Sequence, residues 1–134
     1  MNSKELINMA LKARERSYSP YSKFEVGAAL LASSGDVYLG CNIESAAFSP
    51  TCCAERTAFV KAVSEGCREF EAIAIVGAPH EKEPEVECPP CGVCRQVMAE
   101  FCAPDFKIIL GAVDAPIEYT LDDLLPKSFG PGSL

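Results

Sequence analysis

Basic residues, histidine and long apolar runs are what this sequence has least of. Lys and Arg number 12 against 19 Asp and Glu, a formal net charge of −7, so the average surface repels phosphate backbones and anionic lipids. No stripe of basic or aromatic residues offsets that charge, which argues against a nucleic-acid partner. No apolar run approaches the roughly 20 residues that a membrane span requires. The opening "MNSKELINMALKARER" is charged and helix-patterned rather than signal-like. The expectation is therefore a cytoplasmic protein with no membrane partner. The one histidine, His80, lies in the polar stretch "APHEKEPE" and reads as solvated, too isolated to complete a metal or catalytic site. No internal repeat or low-complexity linker divides the chain, and 134 residues at 49% hydrophobic suit one compact domain over 1–134.

What the chain does have is cysteine, eight of them. Without a secretion signal, clustered cysteines more often bind metal or do redox work than form a disulfide scaffold. The surrounding pattern alternates helix and strand. Ser3 is placed to cap a helix over "KELINMALKARERSY", in which Leu6, Met9, Ala10 and Ala13 recur at helical spacing, and "SPYSK" breaks it. "FEVGAALLAS" and "DVYLGCNI" are β-rich and joined through Ser34-Gly35, a hairpin signal. "CAERTAFVKAVSEG" predicts a second helix with Ala58, Val60, Ala62 and Val63 inward and Gly66 as its stop. "EAIAIVGA" and "FKIILGAV" are continuous apolar runs of the kind buried on both sheet faces, with "CGVCRQVMAEFC" as the crossover helix between them. Thr120 caps a short "LDDLL" helix. The fold class expected is α/β, a three-layer α/β/α arrangement around a mixed sheet of about five strands.

The densest chemistry lies in "ECPPCGVCRQ", residues 87 to 96, where three cysteines form two overlapping Cys-x-x-Cys spacings. Pro89 and Pro90 remove two N–H donors and hold Cys88 extended, whereas Gly92 and Val93 leave N–H groups free to point at a sulfur. Cys91 and Cys94 are thus favoured as the working pair, at a helix start where unpaired N–H groups and the dipole stabilise thiolates. Cys88 remains a rival register. Two thiolates do not complete a zinc site, which takes three protein ligands plus an open position if it is catalytic. The candidate third ligand is Cys53 in "TCCAERTAF", again where a loop enters a helix. Cys53 and Glu55, two apart, fall about 200° apart around a regular helix. They share a pocket only end-on, with Cys53 at the cap and Glu55 in the first turn.

Cys-Ala-Glu-Arg at 53–56 followed by Pro-Cys-Gly-Val-Cys-Arg-Gln at 90–96 resembles the small zinc-dependent cytidine deaminases. "PYSKFEVGAAL" at 20–30, "GCNIESAAFS" at 40–49 and "LLPKSF" at 124–129 look like the family's substrate-binding strand, ribose-binding segment and C-terminal signature. The resemblance runs from about Ser3 to Phe129. It implies one zinc ion on Cys53, Cys91 and Cys94, which activates a water for attack at C4 of cytosine. Glu55 shuttles protons to ring N3 and to the departing amino group. Three thiolates leave the cluster at −1, and the family's matching arginine, here Arg56, draws charge from the sulfurs. Asn42 and Glu44 are implied at the ribose 3′-OH, Phe24 against the base, and the Ala54 N–H on a pyrimidine carbonyl. Ala46 belongs to the same ribose segment. Phe48 and Phe129 match positions that reach into a neighbour's pocket in the family's homotetramers. The carboxylate of Glu44, with no Lys/Arg cluster to receive a phosphate, favours a free nucleoside, cytidine or 2′-deoxycytidine, over a nucleotide.

Two departures stand out. Phe48 occupies a place where many relatives carry tyrosine, a lost hydroxyl worth about 0.5–1.5 kcal/mol of sugar binding, and Ser45 replaces a common asparagine. Plainer readings stand beside each of these. Cys41, Cys52, Cys67 and Cys102 suit small core positions. Cys91 and Cys94 suit a redox dithiol or a purely structural zinc module, and Glu55 an ordinary helix-start carboxylate. Asn42 and Glu44 suit a solvated strand edge, Phe24 plain core and Phe129 a tail anchor. A relative acting on a cytosine-containing antibiotic would share the zinc motifs, and a polynucleotide-editing deaminase is disfavoured by the charge.

Overall fold

The computed structural model describes residues 1–134. Helix α1 (Ser3–Arg14) precedes a hairpin of β1 (Phe24–Ala32) and β2 (Val37–Cys41), then α2 (Ala54–Ser64), β3 (Phe70–Pro79), α3 (Gly92–Phe101), β4 (Lys107–Ala112), β5 (Ala115–Thr120) and the short α4 (Leu121–Leu124). The five strands lie in the order β2-β1-β3-β4-β5. β3 and β4 pair parallel and every other neighbour pairs antiparallel, so the sheet is mixed. The parallel pair exists because α3 carries the chain back over the sheet between them, as a crossover must.

Alternation along the strands builds two cores. Ala28, Leu30, Ile73, Ile75, Ile108 and Leu110 face α2 and α3, meeting Ala58, Phe59, Ala62 and Met98. Ala29, Ala74, Val76 and Ile109 face α1, meeting Leu6, Ile7 and Ala10. The three-layer α/β/α expectation holds, and the continuous apolar runs are the central strands, buried on both sides.

Several local details differ from the sequence expectation. The first helix is capped by Asn2, whose side chain accepts from Glu5 N in a capping box, and Ser3 is already its first helical residue. That helix also ends at Arg14 rather than running to Tyr18. On α2 the buried stripe is Ala58, Phe59 and Ala62, so Val60, about 100° beyond Phe59, turns outward at 59% exposure. β5 has no apolar run to announce it and carries Pro116, tolerated on an edge strand. Cys41, Cys52, Cys67 and Cys102 are half-buried rather than inside a core; Cys67 and Cys102 pack at the margin of the larger one.

One close approach positions the site. A Cβ added at Gly40 on β2 would stand 2.4 Å from the carbonyl oxygen of Ala54 and 2.6 Å from the amide of Ala58. Only a bare backbone there lets the first turn of α2 lie down on the sheet.

Candidate metal centre

Two helix starts meet at one point. Cys53 is the N-cap of α2 and Cys91 the N-cap of α3, both in extended backbone geometry (φ −69°, ψ 154° and φ −68°, ψ 167°). Cys94 sits in the first turn of α3, buried. The donor onto sulfur in this loop is the amide of Cys94 itself, 3.4 Å from Cys91 Sγ, rather than that of Gly92 or Val93. The sulfurs of Cys53 and Cys91 are 3.8 Å apart and those of Cys91 and Cys94 3.5 Å. All three lie within 4.8 Å of one another. Tetrahedral ligands at about 2.3 Å from a zinc ion stand roughly 3.8 Å apart. The spacing fits zinc, and an all-thiolate donor set suits that ion's chemistry.

The charge of such a cluster has a partner in place. Arg56 Nη2 donates to Cys53 Sγ and to the carbonyl of Thr51, each at 3.4 Å, while its buried Nε has no protein partner. Without metal, Cys53 is drawn down to about 5, first by the hydrogen bond from the Cys94 thiol and then by Arg56. Cys94 is pushed up for the same reason, since it holds the proton the two share. A divalent ion held by these cysteines would take the place of that proton, because metal-bound cysteine is thiolate.

Glu55 follows in the first turn of α2 and is 4% exposed. Burial pushes its carboxyl up to about 7, with the neighbouring Cys53 charge adding in the same direction. A carboxyl of that strength both accepts and releases a proton near neutrality. Cys88, the rival register, lies outside the sulfur cluster, and burial pushes its thiol up to about 11.

The structure gathers Asn42, Glu44 and Phe24 about the loop joining α1 to β1. Ile43 bridges to both Tyr18 and Cys52, so the segment is extended and Asn42 and Glu44 turn to one side. Asn42 Nδ2 donates to Phe24 O at 2.8 Å, and its Oδ1 accepts from Val26 N at 2.9 Å and from the Ser17 hydroxyl. Glu44 accepts from Tyr21 N, Ser22 N and the Ser22 hydroxyl, bonds that hold its carboxyl below the ordinary range. Ala54 opens α2, where backbone N–H groups lack intrahelical partners.

Phe24 is 38% exposed, Ala46 lies in the exposed turn after Glu44, and the rings of Phe48 and Phe129 point outward. Phe48 has φ 61°, a left-handed conformation costly for a bulky residue, and meets Tyr21 edge-on at 5.9 Å between ring centres. Tyr21, Ser22, Glu44, Phe48 and Thr51 line a cavity of about 300 Å³. A larger cavity of about 650 Å³ lies between α1, β2 and α2, lined by Lys12, Arg16 and Lys61 among others, and holds none of these groups. Sequence reasoning missed Ser17, Ser22 and Thr51. The signal for the two serines was a serine-rich stretch flanking Pro20, legible only as a helix break, and no local pattern marks Thr51.

Comparison with known proteins follows this geometry closely. Residues 1–110 match the model of the cytidine and deoxycytidylate deaminase zinc-binding region. The chain is 50% identical over 135 aligned residues to a cytidine deaminase of Sporosarcina psychrophila, covering 100% of this chain and 96% of that one. To the cytidine deaminase of Halalkalibacterium halodurans it is 52% identical, covering 96% and 95%. The crystal structure of cytidine deaminase from Burkholderia pseudomallei superposes with a TM-score of 0.87 at 43% identity, over 96% of this chain and 100% of that one. The sulfur spacing and these full-length matches agree on one assignment: the chain belongs to the cytidine and deoxycytidylate deaminase zinc-binding family.

Proposed function

We propose that this protein deaminates cytidine and 2′-deoxycytidine hydrolytically, giving uridine or 2′-deoxyuridine and ammonia, within pyrimidine salvage. The carrying observation is geometric: three sulfurs at zinc-ligand spacing, with the buried carboxyl of Glu55 in the first turn of the helix that Cys53 opens. Cys53, Cys91 and Cys94 would hold one zinc ion, which when bound supplies a water acidic enough to react at neutral pH. Glu55 takes a proton from water as its oxygen bonds to C4 and gives that proton to ring N3; it then moves the proton of the new C4 hydroxyl to the amino nitrogen as the C4–N bond breaks, so that cytidine and water become uridine and ammonia. Arg56 stays charged against the Cys53 thiolate and offsets the negative cluster. The Ala54 amide, at the open end of α2, donates to the ring carbonyl, and Phe24 flanks the base.

The sugar is read sparingly. Asn42 has committed one of its two N–H donors and both lone pairs of its oxygen, and Glu44 has accepted three bonds of about four it can take. One donor and one acceptor remain, enough for a single hydroxyl. This supports acceptance of both nucleosides, with the 3′-OH as the group held.

The proposal extends to a homotetramer in which Phe48 and Phe129 complete a neighbour's site. Supporting it are exposed apolar side chains on the elements that carry the centre: Val60 on α2, Val93 in the first turn of α3, Tyr21 and Phe48 beside the sugar loop, and Phe129. The setting proposed is the cytoplasm, where thiols stay reduced and available to metal. The test is ammonia release from cytidine by a zinc-quantified preparation, beside a Glu55→Gln variant. Glu55→Gln should keep one zinc per chain and lose turnover by about 10²–10⁴-fold. Wild-type turnover in that variant would overturn the mechanism.

A further inference from the structure

The segment between β3 and α3 carries one side chain that the metal centre leaves unused. Cys88 stands three residues before Cys91, yet its half-buried thiol joins the margin of the larger core instead of the sulfur cluster. Facing it, in the buried run of β3, is a residue with no side chain, Gly77. A Cβ built there would stand 2.6 Å from Cys88 Sγ, 3.2 Å from Cys88 Cβ and 3.0 Å from Phe24 Cε1. The space a side chain would take on the strand is filled from two directions, by a thiol and by the edge of an aromatic ring.

The register explains how the ring arrives. Gly77 pairs with Val26 and Pro79 with Phe24 across the β1–β3 ladder, so Phe24 is the diagonal neighbour of Gly77 on the same sheet face. That face is the one covered by α2 and α3, the helices bearing the sulfurs and Glu55. A ring lying across a bare strand position on this face is fixed in height by what lies beneath and beside it. Here that is backbone and one sulfur.

We propose that Gly77 and Cys88 together position Phe24, setting the level at which a cytosine ring enters beside Glu55. Both are positioning residues, acting through Phe24, and the proposal rests on the deaminase reading above. It also gives Cys88 a role as a neutral packing thiol, where the Cys-x-x-Cys spacing admits it as a ligand.

The experiment compares wild type, Gly77→Ala, Cys88→Ala and the double variant for KM and kcat on cytidine, zinc content and Tm. Overpacking a close contact should raise KM in Gly77→Ala by about tenfold with kcat within about threefold. Zinc should stay at one per chain. Removing the sulfur in the double variant should recover most of that KM loss. Cys88→Ala alone should keep its zinc and show a smaller KM rise, about threefold, from lost support under the ring. An unchanged KM in Gly77→Ala, no recovery in the double variant, or loss of zinc in Cys88→Ala would each overturn the proposal. Should the wild type release no ammonia from cytidine, the deaminase reading fails by itself. The packing pair is then judged on Tm, which Gly77→Ala must lower and the double variant restore.

Discussion

The two helix starts at the metal centre solve one problem in different ways. α3 is self-contained: Cys91 caps it by accepting from Cys94 N, and both ligands come from one tight loop-to-helix turn. α2 has no side-chain cap bond at Cys53. Its position comes from elsewhere, from the bare backbone of Gly40 beneath it and from Arg56 folded back onto the Cys53 sulfur. On the proposed reading the α3 end would supply two ligands, while the α2 end would supply a ligand, the acid and the compensating charge, and depends on tertiary contacts to do so.

The sharpest way to break this contrast is to substitute one cap on each side. Cys91→Ser keeps an oxygen for the Cys94 amide, so helix stability should change by less than about 1 kcal/mol while zinc and turnover are lost together. Cys53→Ala should lose zinc and turnover just as fully, without any capping cost. Metal analysis beside Tm of the metal-free proteins reads both, and stoichiometric zinc in either variant would remove that sulfur from the ligand set. Next in size is Gly40→Ala. Its Cβ has backbone on every near side, so about 1–3 kcal/mol of destabilisation is expected, with turnover reduced through a displaced first turn of α2. Denaturant unfolding and kcat check this, and a silent substitution would show that α2 is not seated by β2.

Arg56→Gln should be milder. It leaves both caps intact and withdraws the charge beside Cys53, for which a loss of about 10–100-fold in zinc affinity is expected by chelator competition. The smallest effect is a control away from both helix ends. Glu44 is held below the ordinary 4.5 by the Ser22 hydroxyl and by backbone amides. A lowered folded-state value means its contribution is present above 4.5 and lost as pH falls through the folded value. Acidification from above 4.5 through the lowered folded-state value should therefore loosen the Tyr21 loop, visible as a tyrosine signal in near-ultraviolet circular dichroism. Glu44→Gln should abolish that transition.

How much of this was legible in the sequence follows from the range of each interaction. The central strands, the crossover helix and the two cysteine motifs are local patterns of period or spacing, and they read correctly. Val60 misled because an apolar residue adjoining a buried stripe does not reveal which side of the stripe it occupies. β5 was silent because edge strands need few apolar residues. The helix cap moved by one residue because Asn2 and Ser3 are both good caps, and the Glu5 partner decided for Asn2. The bonds of Ser17 and Ser22 to Asn42 and Glu44, and the packing of Cys88 over Gly77, join residues 11 to 25 positions apart. No periodicity encodes such pairs.

The residues between Cys53 and Cys91, which stand 38 positions apart, have a consequence for how the chain matures. They include all of β3, which must slot between β1 and β4 before the two helix starts can face each other. Zinc is thus a clasp that closes only on a correctly threaded sheet, and its capture reports that threading is complete.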